Sequence, residues 1–94
     1  MQVRSGNSKQ KYAKILGNII NKHRKAIKKS MYLIAAESGI AKSSWREIEL
    51  GERANLNLIT FCKIAEGLDI PADKLLAELY QKLGKDFSFT DLNN

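Results

Sequence analysis

The stretch IAAESGIAKSSWREIELGE, residues 34–52, places one glycine inside an apolar pattern that is helical on both sides. Gly39 follows the small Ala35 by four residues, where a helix end favours the positive φ that glycine adopts without a Cβ clash. Trp45 and Ile48 then resume the helical spacing. The pattern predicts two short helices crossing at roughly 90 to 120° over a tight turn, a helix-turn-helix. An ordinary helical hairpin is the alternative.

Apolar periodicity outside this stretch predicts an all-α chain, a compact five-helix bundle. Ser30 and Asn57 are predicted N-caps of the second and fourth helices, and Pro71 precedes the fifth. The predicted helices cover about 10–28, 31–38, 42–50, 58–68 and 72–83. The predicted inward positions of the first are Tyr12, Ile15, Leu16, Ile19, Ile20 and Ile27, and those of the fourth are Leu58, Phe61, Cys62, Ala65 and Leu68.

Length and composition indicate one small domain. Ninety-four residues suffice for a modest core, and no apolar run approaches the roughly 18 residues of a membrane span. We expect a cytoplasmic protein with a flexible basic arm at 1–9, the helical domain at 10–83 and a tail at 84–94. The alternating Phe87 and Phe89 of that tail are candidates for docking. Cys62, the one cysteine, is predicted to be buried filler rather than a reactive thiol.

Charge is distributed unevenly along the chain. Residues 1–53 hold twelve basic and four acidic residues, whereas residues 54–94 hold four basic and six acidic ones. The run NKHRKAIKK at 21–29 alone carries five lysines and arginines. This asymmetry favours a polyanionic partner for the N-terminal half. A solvated helix face is the alternative, and a helix lying on a membrane is disfavoured because the apolar face of the first helix is needed for the core.

Nothing in the sequence predicts an enzyme, a cofactor or a metal site. The chain has one histidine, His23, one cysteine and no glycine-rich phosphate loop. The carboxylates Glu47, Glu49 and Glu52 fall on or beside one short helix rather than in a cleft. The chemistry of the sequence therefore points to binding.

The sequence resembles the phage-repressor type of helix-turn-helix proteins related to Cro, the XRE family, over roughly residues 14–79. The matching motifs are LGNIINKHR at 16–24, Ser30, SGIAKSS at 38–44, IELGER at 48–53 and NLNLITFCKIAEGLDIPADKLL at 55–76. The resemblance implies a lambda-repressor-like DNA-binding domain that binds double-stranded DNA through its third helix, usually as a symmetric dimer. It also implies an ion pair between Arg24 and Glu49.

The resemblance assigns DNA contacts by position. Lys42 and Ser43 would meet base edges, Glu47 would accept from a cytosine amine, and Arg46 and Arg53 would contact phosphates. The full set of predicted DNA-binding residues is Ser30, Lys42, Ser43, Ser44, Arg46, Glu47, Arg53 and Asn55.

Besides Tyr32 and Leu33, three positions depart from the family pattern. Met31 stands where the family usually has a phosphate-binding glutamine, and Ala41 stands where a serine or threonine usually caps the third helix. Ser44 with Glu47 offers a capping box one turn later instead. Ser38 replaces a buried aliphatic residue.

Two expectations concern partners. The apolar stripe of the fifth helix is longer than a small bundle should use and predicts a homodimer through Leu75, Leu76, Leu79, Tyr80 and Leu83. Tyr32 and Leu33 form an apolar patch where the family is normally polar.

The predicted function is that of a DNA-binding transcriptional regulator acting as a repressor. The alternative is an antitoxin-type or other protein-binding module that uses this patch or the C-terminal segment, with DNA binding secondary.

Overall fold

A computed structural model of the chain describes residues 4–92, which form five α-helices and a short 3-10 turn. The elements are α1 (Arg4–Ala26), α2 (Met31–Ser38), α3 (Lys42–Glu49), α4 (Leu58–Gly67) and α5 (Ala72–Leu83), with the turn at Phe89–Asp91. Residues 4–92 contain no strand, so the all-α, five-helix prediction is confirmed. None of these helices combines the length and the apolarity needed to cross a membrane.

The first helix begins six residues before the predicted start. α1 begins at Arg4 rather than near residue 10, so residues 4–9 are helical and not a separate arm. Residues 1–3 of the predicted arm lie outside the described residues. The apolar stripe marks only the part of a helix that packs on a core, and this stripe begins at Tyr12. Periodicity therefore could not detect the turns before it.

The core is built by all five helices. α1 packs on α3 and α5, α2 packs on α3 and α4, and α4 packs on α5. The largest fully buried side chains are Trp45, Leu16, Ile20, Ile34, Ile48, Ile64, Leu68 and Leu75. Burial of each such side chain is worth about 1.5 to 3 kcal/mol. Most of the stability of the short helices α2 and α3 must come from this packing, because isolated helices of eight residues are marginal in water.

The turn between α2 and α3 has the predicted geometry. Gly39 adopts φ 69°, in the left-handed region, and its N–H and that of Ile40 donate to carbonyls in the last turn of α2. Ala35 is buried at the crossing, and Ile40 packs against the core. The helix-turn-helix is thus confirmed, and Ser30 caps α2 as predicted by accepting from the Leu33 N–H at 3.0 Å.

A second glycine brings α1 against α3. A Cβ on Gly17 would lie 2.6 Å from the carbonyl oxygens of both Ile48 and Glu49. Real Cβ atoms do not approach backbone this closely, so only glycine permits this contact. The last turn of α3 is therefore held directly against the backbone of α1.

Some predicted inward positions are wrong. Leu58 is 75% exposed, while Ile64, which the prediction omitted, is fully buried. Leu58 opens α4 and projects beyond the bundle, so it has nothing to pack against. Ile27 follows the last residue of α1 and is exposed, and Cys62 is half-buried rather than fully buried.

The apolar stripe of α5 divides between the core and the surface. Leu75, Leu79 and Leu83 are buried within the bundle, so they are not available to a second copy. Leu76 and Tyr80 remain 42% and 57% exposed. Of the five residues predicted to form a dimer interface, only these two lie on the outer surface.

The segment after α5 folds back onto the bundle. Phe87 packs against the core, and the Phe89 ring makes edge contacts with Tyr12, Tyr80 and Phe87 at centroid distances of 5.6, 5.6 and 5.1 Å. Burial in this cluster raises the pKa of the Tyr12 hydroxyl. The part of the predicted tail that the structure describes is therefore docked through its phenylalanines, while residues 93 and 94 lie outside the described residues.

Candidate nucleic-acid interface

α3 has one buried face and one exposed face. Trp45, Ile48 and Glu49 point into the bundle, whereas the side chains of Lys42, Ser43 and Arg46 are exposed to solvent. Ser44 and Glu47 are half-buried at the edges. Five of the eight predicted DNA-binding residues therefore belong to one helix, and three of these five share its fully exposed surface.

The start of α3 differs from the capping-box alternative. The helix begins at Lys42, and Ala41 occupies the N-cap without a side-chain hydrogen bond. The Glu47 carboxylate is engaged by Arg53 instead of reaching back to Ser44. Because the helix is not shortened, Lys42 and Ser43 lie in its first turn. Both side chains project from the end of α3 that lies next to the turn.

The inner face of α3 is anchored by a buried polar network. Arg24 of α1 donates from Nε to Glu49 Oε2 at 2.5 Å and from a terminal nitrogen to Oε1 at 3.0 Å. Asn21 donates to Oε1 at 2.8 Å, and the Trp45 indole donates to Oε2 at 2.6 Å. The predicted pair of Arg24 and Glu49 is confirmed, whereas the contributions of Asn21 and Trp45 were not predicted. Asn21 lies three residues before Arg24 on the same helical face, which is the signal that could have indicated it.

This network shifts both charged groups toward their ionised forms. The hydrogen bond to Glu49 raises the pKa of Arg24. Burial acts to raise the pKa of Glu49, but hydrogen bonds from Arg24, Asn21 and Trp45 outweigh it and lower that pKa overall. The carboxylate therefore stays ionised inside the bundle, where it holds α3 and α1 in one fixed relation.

Half-buried Glu47 and exposed Arg53 form an ion pair at the protein surface. The Arg53 guanidinium donates from Nε and from a terminal nitrogen to Glu47 Oε1, at 3.1 and 2.9 Å. Both bonds meet the same oxygen, so Oε2 remains open to another donor. The pair reduces the repulsion that an isolated carboxylate would exert on a phosphate backbone.

Lys42 lies beside an exposed aromatic ring. Its ammonium is 5.9 Å from the centroid of the Tyr32 ring, within the range of a cation–π contact. Tyr32 is 69% exposed on the first turn of α2, and Leu33 next to it is also exposed. The sequence predicted these two residues only as an apolar patch. The proximity of Tyr32 to Lys42 depends on how α2 crosses α3, and the spacing of residues in the sequence does not specify that crossing.

The remaining candidate residues lie at the ends of neighbouring elements. Arg53 and Asn55 are exposed in the loop between α3 and α4, and together with Ser44 they line a shallow depression of about 210 Å³. Ser30 is exposed at the start of α2, where its hydroxyl accepts the capping hydrogen bond. Met31 packs partly against the core, so apolar contact replaces the glutamine hydrogen bond of the family pattern.

The basic run at 21–29 does not form a single cationic face. Arg24 is buried against Glu49, Lys22 pairs with Glu78 at 2.9 Å, and Lys29 pairs with Glu37 at 2.6 Å. His23 also bonds Glu78, at 2.7 Å, which joins α1 to α5. Hydrogen bonds from His23 and then Lys22 lower the pKa of Glu78 despite its partial burial. Much of the charge of this run therefore serves the fold.

Across residues 4–92, no three or more His, Cys, Asp or Glu side chains gather where they could hold a metal ion. The candidate site consists of the exposed polar face of α3 and the loop after it.

Comparison with solved structures identifies a relative that is similar in both fold and sequence. No family model matches this sequence, and a search of curated proteins finds no match. The solved structure of the restriction-modification controller protein C.AhdI from Aeromonas hydrophila superposes with a TM-score of 0.62 at 31% sequence identity. The alignment covers 69% of this chain and 96% of the controller protein. Similarity of this extent in both sequence and fold is more than a shared helical architecture, and the chain belongs to the same helix-turn-helix family as this restriction-modification controller protein.

Proposed function

We propose that the chain is a sequence-specific regulator of transcription that binds double-stranded DNA and inserts α3 into the major groove. The observation that carries the proposal is the division of α3 into an anchored inner face and an outer face of Lys42, Ser43 and Arg46. An α-helix fits the width of the major groove, and polar side chains near its N-terminal end reach base edges. The family relationship to a controller protein supports a regulatory role.

Each candidate residue takes a role that follows from its position. Lys42 donates a hydrogen bond to guanine O6 or N7, and Ser43 and Ser44 form hydrogen bonds with the edges of neighbouring bases. The carboxylate oxygen of Glu47 that Arg53 does not contact accepts from a cytosine amine. Arg46 and Arg53 contact phosphates. Ser30 and Asn55 add backbone contacts from the elements on either side. We further propose that the chain is of the Cro-like, XRE type and acts as a repressor by occupying its site.

Selection of bound sequences from a random DNA pool tests this proposal. The wild-type chain should enrich one short motif, and Lys42→Ala should lose preference at one position of that motif. The matched control is Lys85→Ala, which removes an exposed lysine beyond α5 and should leave the motif unchanged. Enrichment of no motif by the wild-type chain would refute sequence-specific reading.

We propose in addition that two copies bind together through the outer surface of α5. Leu76 and Tyr80 are exposed there, and the docked Phe89 extends the apolar surface next to Tyr80. One helix contacts too few bases for useful specificity, whereas a symmetric dimer presents two recognition helices about one DNA turn, roughly 34 Å, apart.

Sedimentation tests the dimer. Leu76→Asp should shift the chain to a monomer at tens of micromolar and weaken binding to a two-half-site duplex. Leu33→Asp is the matched control because Leu33 has the same 42% exposure on a different helix, and it should leave the dimer intact. A monomeric wild-type chain, with and without DNA, would rule out the dimer.

A protein-binding role is the second candidate, and a specific observation favours it. Tyr32 and Leu33 on α2 and Leu58 and Ile59 on α4 are large apolar side chains left exposed. An antitoxin-type module would use such residues to hold a protein partner, with DNA binding secondary. Purification from the native cell distinguishes the two roles, because an antitoxin brings down a stoichiometric protein and a simple repressor does not.

A further inference from the structure

Tyr32 is a large aromatic residue that the fold does not use. It lies on the first turn of α2 with 69% of its surface exposed, so it contributes little to the core. Its ring faces the Lys42 ammonium, which lies 5.9 Å from the ring centroid. Lys42 is the first residue of α3 and belongs to the candidate site. The contact thus joins an otherwise unexplained residue to the face that we propose reads DNA.

Without the Tyr32 ring, little would restrict the direction in which the Lys42 side chain points. A lysine side chain has four flexible torsions, and ordering it on binding has an entropic cost. No ion pair found within residues 4–92 includes Lys42, although Lys22, Lys29 and Arg53 each have a carboxylate partner. The face of the Tyr32 ring is therefore the group available to restrict where the ammonium points.

We propose that Tyr32 is a positioning residue for Lys42, holding its ammonium toward one base position and so sharpening the preference for guanine there. This inference rests on the proposed function, because it assigns Tyr32 an effect on the base choice of α3. The ring acts through its negative face, so an aromatic side chain is required at position 32 and the hydroxyl is not.

Two substitutions at position 32 distinguish the effect of the aromatic ring from the effects of the hydroxyl and of apolar character. Tyr32→Phe keeps the aromatic face and removes the hydroxyl, whereas Tyr32→Leu keeps an apolar side chain and removes the ring. Leu33→Ala serves as a control, because it shortens the neighbouring exposed residue without touching the contact. Both positions are exposed and lie outside the core, so the three variants should fold like the wild-type chain.

The first measurement does not involve DNA. In proton NMR spectra of the free chain, the Lys42 protons next to the ammonium should be shifted upfield by the ring current. The shift should persist in Tyr32→Phe and Leu33→Ala and disappear in Tyr32→Leu. Absence of the shift in the wild-type chain would overturn the inference, whatever the chain binds.

The second measurement is binding-site selection with the same variants. Tyr32→Leu should reduce guanine preference at the Lys42 position by about two- to five-fold, the range expected for an exposed cation–π contact. Tyr32→Phe and Leu33→Ala should retain that preference. Unchanged preference in Tyr32→Leu would refute positioning, and an equal loss in Tyr32→Phe would show that the hydroxyl acts instead. If the wild-type chain selects no motif, the proposed function fails and this role fails with it, while the NMR shift still reports the contact itself.

Discussion

Arg24 of α1 and Glu49 of α3 form a buried ion pair joined by two hydrogen bonds, of 2.5 and 3.0 Å. The pair spans 25 residues of sequence and fixes the end of α3 to the first helix. Arg24 also donates to the carbonyl oxygen of Lys29, at 2.8 Å, in the segment that leads into α2. One guanidinium therefore holds both ends of the helix-turn-helix against α1.

Removal of one partner should be strongly destabilising. Arg24→Ala or Glu49→Ala leaves an uncompensated charge inside the bundle, and we expect the free energy of unfolding to fall by about 3 to 5 kcal/mol. The double substitution Arg24→Met with Glu49→Leu should cost less than either single change, because no charge is left buried and the remaining cost is that of the Asn21 and Trp45 donors that lose their acceptor. Urea unfolding, monitored by circular dichroism, measures the free energy of unfolding of the two single variants and the double variant. The exposed pair of Lys29 and Glu37 is the control, and Lys29→Ala should cost less than about 1 kcal/mol.

Stability should fall in acid because Glu49 and Glu78 have lowered pKa values in the folded chain. A carboxyl group with a lowered folded pKa contributes stability that is fully present above the unfolded value of 4.5. That contribution is lost as the pH falls through the folded pKa. Denaturant unfolding at a series of pH values should therefore show the gap between wild type and Glu49→Gln narrowing below pH 4.5. A gap that widens in acid would contradict the assigned direction.

Lys42 and Arg53 should affect DNA binding differently if α3 occupies the groove as proposed. Lys42→Ala should cost about 1 to 3 kcal/mol on the preferred site and relax preference at one position in each half-site. Arg53→Ala should weaken binding to all sequences and reduce the salt dependence by about one unit for each phosphate that the arginine neutralises. Titrations at several salt concentrations with preferred and scrambled duplexes separate these effects. Loss of sequence preference in Arg53→Ala alone would reverse the two assignments.

Glu47 tests whether its ion pair with Arg53 matters on DNA. Glu47→Gln removes a negative charge and frees the guanidinium, so non-specific affinity should rise while preference for the selected site falls. Because Arg53→Ala leaves the Glu47 charge without its partner, the double variant is needed to isolate the phosphate contact. Binding titrations of the wild-type chain, both single variants and the double variant form a double-mutant cycle that measures the coupling between Glu47 and Arg53. If Lys42→Ala and Glu47→Gln both left the selected motif unchanged, we would abandon groove reading by α3.

Gly17 should not tolerate a side chain. Alanine is favoured over glycine in helices by roughly 1 kcal/mol, yet a Cβ at Gly17 would meet the backbone of Ile48 and Glu49 at 2.6 Å. We expect Gly17→Ala to be destabilising by about 1 to 3 kcal/mol, since α1 and α3 must move apart. Asn18→Ala, at the exposed neighbouring position of α1, is the comparison for propensity alone. Thermal unfolding should show a lower melting temperature for Gly17→Ala and a higher one for the comparison variant.

Sequence patterns predicted the elements of this fold because the signals are local. The spacing of Ala35, Gly39 and Trp45 predicts the turn, and Ser30 and Asn57 cap their helices by bonds to residues three positions away. The family resemblance also supplied the pair of Arg24 and Glu49. These features depend on short sequence separations or on a contact typical of the resembled family.

Contacts set by how helices meet could not be predicted in this way. Leu75 and Leu76 are adjacent in an apolar run, yet one is buried and the other exposed, because only the position of α1 and α4 decides which side of α5 is covered. The pairing of Glu78 with Lys22 and His23 spans more than fifty residues, so it too depends on packing. In the candidate site, the partners of Glu47 and Lys42 follow from the loop path and the crossing of α2 over α3.

The position of Trp45 has a spectroscopic consequence. It is the one tryptophan of the chain, its side chain is fully buried, and its indole nitrogen lies 2.6 Å from the Glu49 carboxylate. The entire indole emission of the protein therefore originates from the inner face of α3. A change in its wavelength or intensity reports the anchoring of that single helix, without a label and without interference from the rest of the bundle.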